Sequence, residues 1–169
     1  MMMDDMLREE TDALVNTLGD LLVERGLTVT TAESCTGGLV AGTLVNYPGI
    51  SAALGEAHVT YANEAKVKFC GVKEETLAAH GAVSEETARE MSEGLRAKSG
   101  ADIALATTGI AGPGGGTAEK PVGLVYVACA SKHGTQIRKL NLSGSRQQVR
   151  KQAVLSVLEL ALAAAKKYE

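Results

Sequence analysis

Ser34 and Cys35 are two candidate nucleophiles in a run of small polar residues, Thr31-Ala32-Glu33-Ser34-Cys35-Thr36-Gly37-Gly38. The run follows a β-branched segment and precedes a helical pattern, so we expect it at a sheet edge, where free backbone N–H groups bind ligands. Ser34 can act as a nucleophile or only cap the helix, and spacing alone favours the cap. Cys35 is the rival nucleophile because a helix N-terminus activates a thiol, although free cysteines are more often small buried hydrophobes.

Lys66 is a candidate general base because we expect it in the first turn of a helix. Asn63 is well placed to cap a helix through Glu64 to Phe69. The positive end of the helix dipole disfavours an ammonium ion, so partial burial would lower the pKa of Lys66. Taken alone, an exposed and charged Lys66 is the commoner outcome. Tyr61, at a strand end, either assists the amine or packs at the edge with its hydroxyl in solvent.

A glycine-rich segment follows a predicted buried strand, from Thr108 to Thr117, with five glycines between Gly109 and Gly116. Such a loop presents backbone N–H groups without obstruction by side chains, which suits a phosphate or an oxyanion. It lacks the G-K-[ST] ending of a Walker A loop, and no G-x-G-x-x-G opens a helix here. Close approach to a ligand is therefore favoured over a purely structural turn.

Arg146 opens the last predicted helix, and Arg150 and Lys151 follow one turn later. Basic residues are electrostatically unfavourable at a helix N-terminus. A bound phosphate would resolve this, and a solvated basic face explains it equally well. The three histidines are dispersed without a carboxylate pattern of metal-ligand type, so we expect no metal site and no cofactor.

The elements that would position these residues alternate between helices and short strands. The patterns predict helices at residues 6–25, 39–47, 64–69 and 74–79, a helix from Ser84 to Lys98, and a last helix that begins at Ser145 with a capping box to Gln148. Strands are predicted at residues 27–32, 56–61, 103–108, 122–130 and 135–142, with a hairpin joining the last two. This order predicts an α/β fold, a three-layer α/β/α sandwich with a mixed sheet, as a single domain over residues 1–169.

Composition limits the classes of function. Of the 169 residues, 45% are hydrophobic and 22% are charged, which is typical of a globular protein. The net charge of -3, with four Tyr, one Phe and no Trp, argues against nucleic-acid binding. Three widely spaced cysteines, an acidic start and no apolar run of about 18 residues predict a reduced, cytoplasmic protein without a membrane segment.

Four motifs carry a resemblance to a known family: T-A-E-S-C-T-G-G (31–38), Y-A-N-E-A-K (61–66), H-G-A-V-S (80–84) and T-G-I-A-G-P-G-G-G-T-x-E-K-P-V-G (108–123). In this order they closely resemble the C-terminal domain of competence/damage-inducible proteins (CinA C-terminal-like), a family that includes stand-alone nicotinamide-nucleotide amidases. The resemblance covers the chain from about Leu27 to the last helix. It implies hydrolysis of the carboxamide of nicotinamide mononucleotide to nicotinate mononucleotide and ammonia, in NAD salvage, with a lysine replacing the usual histidine base.

The resemblance also implies residue roles. Ser34 becomes the nucleophile, Lys66 the base and Tyr61 the group that assists them. The implied substrate-binding residues are Glu33, Cys35, Thr36, Gly37, Thr108, Gly109 and Arg146. Arg146 is our choice for the nucleotide phosphate, while Glu33 orients Lys66 or Arg146 or only binds backbone amides. Ala62 departs from the family, in which serine often follows the tyrosine.

The resemblance leaves two other functions open. One is a non-catalytic sensor that binds a pyridine nucleotide, and the other is an interaction protein in competence or DNA damage, which the acidic charge disfavours for direct DNA contact. The partner that we expect is a small-molecule nucleotide, with no nucleic acid and no membrane. A homo-oligomer is expected from the family alone.

Overall fold

Helices and short strands alternate along the chain in a computed structural model that describes residues 2–169. The helices are α1 (Met2–Glu24), α2 (Leu39–Leu44), α3 (Asn63–Cys70), α4 (Glu74–His80), α5 (Glu85–Ser99) and α6 (Arg146–Lys166). The strands are β1 (Val29–Glu33), β2 (His58–Val59), β3 (Ile103–Gly109), β4 (Leu124–Ser131) and β5 (Gly134–Asn141). A single 3-10 turn, Ile50–Ala52, lies between α2 and β2.

The strands form one mixed sheet in the order β2-β1-β3-β4-β5. Strand β1 is parallel to both β2 and β3, whereas β3, β4 and β5 are antiparallel neighbours. Because β1 and β3 are parallel and Glu33 is paired with Thr107, their carboxyl ends meet at one edge of the sheet. This register brings the nucleophile segment beside the glycine-rich loop, although the two are far apart in sequence.

Helices cover both faces of the sheet, so the predicted three-layer α/β/α arrangement with a mixed sheet is confirmed. On one face α6 packs on β3 and β4, and α1 packs on α6. Leu18, Leu105, Val127 and Leu158 meet in the large core on this side, each at most 1% exposed. Burial of such side chains is the main favourable contribution to folding.

On the other face α5 packs across β1, β3 and β4. The strands present a row of paired alanines there, Ala32, Ala106 and Ala128. These small side chains pack against Met91 and Leu95 of α5 in a second, smaller core. Because alanine adds little bulk above the sheet, α5 can lie close to it and hold neighbouring α3 in place.

The observed bounds differ from the predicted ones mainly at the edge of the sheet. The predicted strand at 56–61 is wrong in length, because β2 is an edge strand that pairs only with Ala32 and Glu33 of β1. The helix predicted at 39–47 ends earlier, at Leu44, because hydrogen-bonded turns follow it up to Pro48. Within residues 2–169, no helix has both the length and the apolar character needed to cross a membrane.

Candidate active site

Ser34 lies directly after β1, at the start of a turn that leads to α2. Its amide donates to the carbonyl oxygen of Thr107 on β3 at 3.0 Å, which continues the parallel pairing by one residue. The turn then closes by a bond from Gly37 N to the Ser34 carbonyl, also 3.0 Å. The half-buried Ser34 side chain is therefore carried on backbone that is fixed by the central strand of the sheet.

Glu33 holds this turn from within. Its carboxylate accepts hydrogen bonds from the amides of Gly38, Val40 and Ala41 at 2.8–3.2 Å, and from the hydroxyls of Thr31 and Thr36. These amides belong to the first turn of α2, where N–H groups lack partners within the helix. The structure thus decides the role that the sequence left open: Glu33 binds backbone amides of the loop, and both of its oxygens are occupied.

Lys66 reaches from α3 to Ser34. Its Nζ lies 3.2 Å from Ser34 Oγ, 2.8 Å from the carbonyl oxygen of Thr60 and 3.0 Å from that of Tyr61. A lysine nitrogen has three positions besides its bond to Cε. The two carbonyls can only accept, so they take two N–H groups and leave the third position facing Ser34.

Burial shifts the pKa of Lys66. The residue is only 1% exposed, so the expectation of an exposed lysine is wrong and the alternative of a buried amine is the one observed. Desolvation by burial lowers the pKa of Lys66. The predicted cap is also wrong, because extended Ala62 precedes the helix and Asn63 is its first residue. Lys66 still lies in the first turn of α3, as predicted, and burial is the largest cause of its lowered pKa.

Burial favours the neutral form of Cys35 as well, which weakens it as a nucleophile. It is 6% exposed, and burial raises the pKa of its thiol to about 11. A thiol is a good nucleophile only as the thiolate, which is scarce near neutral pH at such a value. Between the two candidate nucleophiles of the turn, the structure favours Ser34 because only Ser34 contacts the buried amine.

Tyr61 connects two parts of the site. Its backbone carbonyl accepts from Lys66, whereas its hydroxyl accepts from Arg146 Nη2 at 3.3 Å. Arg146 also donates from Nη1 to the carbonyl oxygen of Gly112 at 2.6 Å. Tyr61 thus orients the amine through its main chain, and its exposed ring lies beside the arginine at the start of α6.

A cleft of about 230 Å³ opens beside these residues. Cys35, Tyr61, Gly109 and Arg146 line it together with residues 110–112, 114 and 115 of the glycine-rich loop. Within residues 2–169, the amides of 111, 112 and 114–116 donate to no acceptor. The cleft therefore combines a guanidinium group with free N–H groups, a combination suited to an anion.

Gly109 differs from the prediction that it belongs to the loop, because it is the last residue of β3. A Cβ at this position would lie 2.6 Å from Val125 Cγ2 and 2.8 Å from the Leu124 carbonyl oxygen. The close approach of β4 thus explains this glycine without a ligand. Among residues 2–169, no group of three or more His, Cys, Asp or Glu side chains is arranged to hold a metal ion.

Comparison with known proteins identifies the family. The CinA C-terminal domain profile matches residues 11–165. The chain belongs to the CinA C-terminal domain family. A relative from Clostridium perfringens, provisionally named competence-damage inducible protein, is 53% identical over 156 residues, which is 92% of this chain and 38% of the relative. The chain thus spans well under half the length of that relative.

Solved structures of CinA-type proteins share the fold. The competence/damage inducible protein CihA from Agrobacterium tumefaciens is 43% identical with a TM-score of 0.90, covering 92% of this chain and 95% of that one. The competence damage-inducible protein A from Klebsiella pneumoniae is 37% identical with a TM-score of 0.89, covering 94% and 99%. The α/β fold of this CinA C-terminal domain is therefore that of its family.

Not every predicted site residue of this CinA C-terminal domain presents its side chain to the cleft. The Thr36 hydroxyl is fully buried and bonded to Glu33 and Thr107. The Thr108 hydroxyl is 1% exposed and donates to the Ala82 carbonyl at 2.8 Å. Gly37 is exposed at the surface of the turn. For Thr36 and Gly37, only backbone groups remain for a ligand, and their roles stay predictions.

The sequence analysis missed Thr60 in the CinA C-terminal domain site, and it named Arg150 without the contacts that the structure shows. Thr60 contributes a carbonyl to Lys66, and no sequence signal marks it because every residue has a carbonyl. Arg150 is half-buried and donates to the carbonyl oxygens of Cys35 and Thr36, contacts that neither the phosphate nor the solvated-face interpretation included. The signal for Arg150 was its unfavourable place near a helix N-terminus, which indicated a need for acceptors.

Proposed function

We propose that this CinA C-terminal domain is an amidohydrolase that converts the carboxamide of nicotinamide mononucleotide to the carboxylate, with release of ammonia. The observation that carries the proposal is the 3.2 Å contact between Lys66 Nζ and Ser34 Oγ. The choice of substrate is supported by the motifs shared with nicotinamide-nucleotide amidases. The single domain described above would hold all the groups that the reaction needs.

The hydrogen-bond arrangement of Lys66 supports its role as the base. When the amine is neutral, its two N–H groups donate to Thr60 and Tyr61, and its lone pair faces Ser34. The serine hydroxyl can then donate to that lone pair. Because burial lowers the pKa of Lys66, the neutral form is available at a lower pH than for an exposed lysine. The geometry thus favours transfer of the serine proton to the amine.

Hydrolysis would proceed in two halves. In the first, Ser34 Oγ bonds to the carboxamide carbon while its proton passes to Lys66, and the tetrahedral intermediate then collapses. The C–N bond breaks as Lys66 returns the proton to the leaving nitrogen, which departs as ammonia. In the second half, water attacks the acyl ester, again with Lys66 as the proton acceptor. Ser34 leaves with the returned proton, and the product is the carboxylic acid.

The cleft supports binding of the nucleotide part of the substrate. Arg146 offers a guanidinium at the mouth of the glycine-rich loop, whose free amides face no acceptor within residues 2–169. A phosphate carries the charge and the acceptor oxygens that such a set of donors requires. We therefore assign the phosphate to Arg146 and the loop, and the carboxamide to the Ser34–Lys66 pair.

The test is release of ammonia from nicotinamide mononucleotide by the purified, chelator-treated protein. Ser34→Ala and Lys66→Met should each lower kcat at least about 1,000-fold, because they remove the nucleophile and its base. Cys35→Ala should stay within about threefold of the wild type. Lys68→Met is the matched control, since Lys68 is an exposed lysine on the same helix.

Two results would contradict the proposal. Full activity of Ser34→Ala would show that Ser34 is not the nucleophile. If calorimetry shows that the wild type binds the nucleotide but no ammonia is released, the amidase function is contradicted. The non-catalytic sensor would then be favoured.

A further inference from the structure

Arg150 forms two hydrogen bonds with the turn that carries Ser34. From one turn into α6, its Nε donates to the Cys35 carbonyl oxygen at 3.0 Å and its Nη2 donates to that of Thr36 at 2.9 Å. The guanidinium thus spans two successive peptide groups with one rigid edge. A Cβ on Gly37 would lie 3.6 Å from the same Nη2, which places the guanidinium against this part of the turn.

Fixing a carbonyl also fixes the amide of the next residue. In a trans peptide the C=O and N–H bonds point in opposite directions, and within residues 2–169 the only cis bond is Gly112–Pro113. With Cys35 O held towards α6, the amide of Thr36 must point away from α6. With Thr36 O held likewise, the Gly37 amide points to the Ser34 carbonyl, where it donates at 3.0 Å.

Two amides of the turn are left for a ligand, those of Cys35 and Thr36, because neither donates to an acceptor within residues 2–169. Arg150 fixes the direction of the Thr36 amide, whose residue is fully buried. An unpaired amide in such a place is costly unless a partner arrives. It belongs to the turn of the proposed nucleophile, and amides that follow a nucleophilic serine are the usual donors to the oxyanion of an acyl-transfer intermediate.

We propose that Arg150 is a positioning residue that holds the Thr36 N–H in the direction of the oxyanion formed at Ser34. The chemical consequence rests on the proposed amidase function, whereas the orientation of the turn does not. From inside the sheet, Glu33 accepts from the Thr36 hydroxyl of this turn and from the amides of α2 that follow it, whereas Arg150 binds two carbonyls of the turn from α6. The turn is thereby held from both sides before a substrate binds.

Arginine is required at this position and lysine is a poor replacement. The two carbonyl oxygens are met by two parallel N–H groups of one planar group, which an ammonium ion cannot reproduce. Arg150→Lys should therefore restore only part of what Arg150→Met loses. If only the positive charge of Arg150 mattered, Arg150→Lys would retain the full kcat.

The kinetic test compares kcat and KM in the full chain. Arg150→Met should lower kcat about 100-fold, the effect of a displaced or missing oxyanion donor, while KM changes less than about threefold. Millimolar guanidinium should restore part of the kcat of Arg150→Ala. Arg138→Met is the matched control, because Arg138 also anchors to α6, through Ser156 and Glu159, but lies outside the cleft. Unchanged kcat in Arg150→Met, with an active wild type, would overturn the proposal.

A second measurement does not depend on catalysis. The backbone amide resonances of Thr36 and Gly37, followed by NMR, should shift in Arg150→Met and stay in place in Arg138→Met. Amide resonances of Thr36 and Gly37 that do not move in Arg150→Met would overturn the positioning role, even in a protein that releases no ammonia. If the wild type releases no ammonia but the resonances shift in Arg150→Met, the proposed function is contradicted and the positioning role of Arg150 is supported.

Discussion

Lys66 combines near-complete burial with three hydrogen-bond partners that all carry lone pairs. At the scale of this residue, the neutral amine is the form that can accept the Ser34 proton, and burial lowers its pKa. For the proposed amidase activity, kcat/KM should therefore rise with pH and level off once Lys66 has lost its proton. The apparent pKa of this rise should lie below the ordinary range of lysine.

A pH profile of ammonia release checks this expectation. Cys35→Ala should show the same rise, because burial raises the pKa of Cys35 to about 11 and keeps the thiol protonated near neutral pH. A rise that occurs only in the ordinary lysine range would contradict the desolvation argument. A rise that disappears in Cys35→Ala would assign the titrating group to the thiol.

At the scale of elements, α2 depends on Glu33. The helix has only six residues, and a helix of that length is unstable without tertiary contacts. Glu33→Gln keeps the size of the side chain but places an NH2 group against amides that are themselves donors. We expect the free energy of unfolding to fall by about 1–3 kcal/mol, the cost of leaving buried polar groups unpaired.

Urea unfolding of Glu33→Gln measures this loss, with Glu9→Gln on the exposed surface of α1 as the control. A loss of less than about 0.5 kcal/mol, which is usual for surface substitutions, would show that the helix start has other support.

Elements with local end signals were predictable from sequence. Ser84 and Ser145 cap α5 and α6 as expected, and the capping box with Gln148 is present, because a cap involves residues within one turn. The start of α3 was not predictable from sequence, since Ala62, which precedes it, carries no capping side chain. The burial of Lys66 was also beyond the sequence, because it depends on α5 and on carbonyls that any residue could supply.

The candidate site divides in the same way. Its residue types were visible in the motifs, and the structure places Ser34 and Lys66 in contact. Contacts between distant segments were not visible: Arg150 and Cys35 are 115 positions apart, and nothing near either residue indicates the other. Local pattern therefore predicted which residues matter better than it predicted what they touch.

At the scale of the whole molecule, the topology brings Arg146 to a site built from the other end of the chain. Helix α6 crosses β3 and β4 and delivers Arg146 to Tyr61, 85 positions earlier in sequence. Arg146→Gln should raise KM for nicotinamide mononucleotide about 10- to 100-fold, the range for a hydrogen bond to a charged group. The kcat/KM for nicotinamide riboside, which lacks the phosphate, should change less than about twofold.

Steady-state kinetics on the two substrates separates binding from architecture. Lys151→Gln, one turn further along α6 and paired with Asp4, is the control for a lost positive charge. An equal loss with both substrates would mean that Arg146 serves only to hold Gly112 and the loop.

The buried amine also links folding to the proton concentration. In the unfolded chain Lys66 is exposed and has the ordinary pKa of lysine, whereas burial lowers the pKa in the folded protein. Between these two pKa values the unfolded chain binds one proton more, so folding releases a proton and stability increases as pH rises. As the pH falls through this window, stability decreases until both states are protonated. The proposed base thus lowers the stability of the folded protein at every pH below the ordinary pKa of lysine.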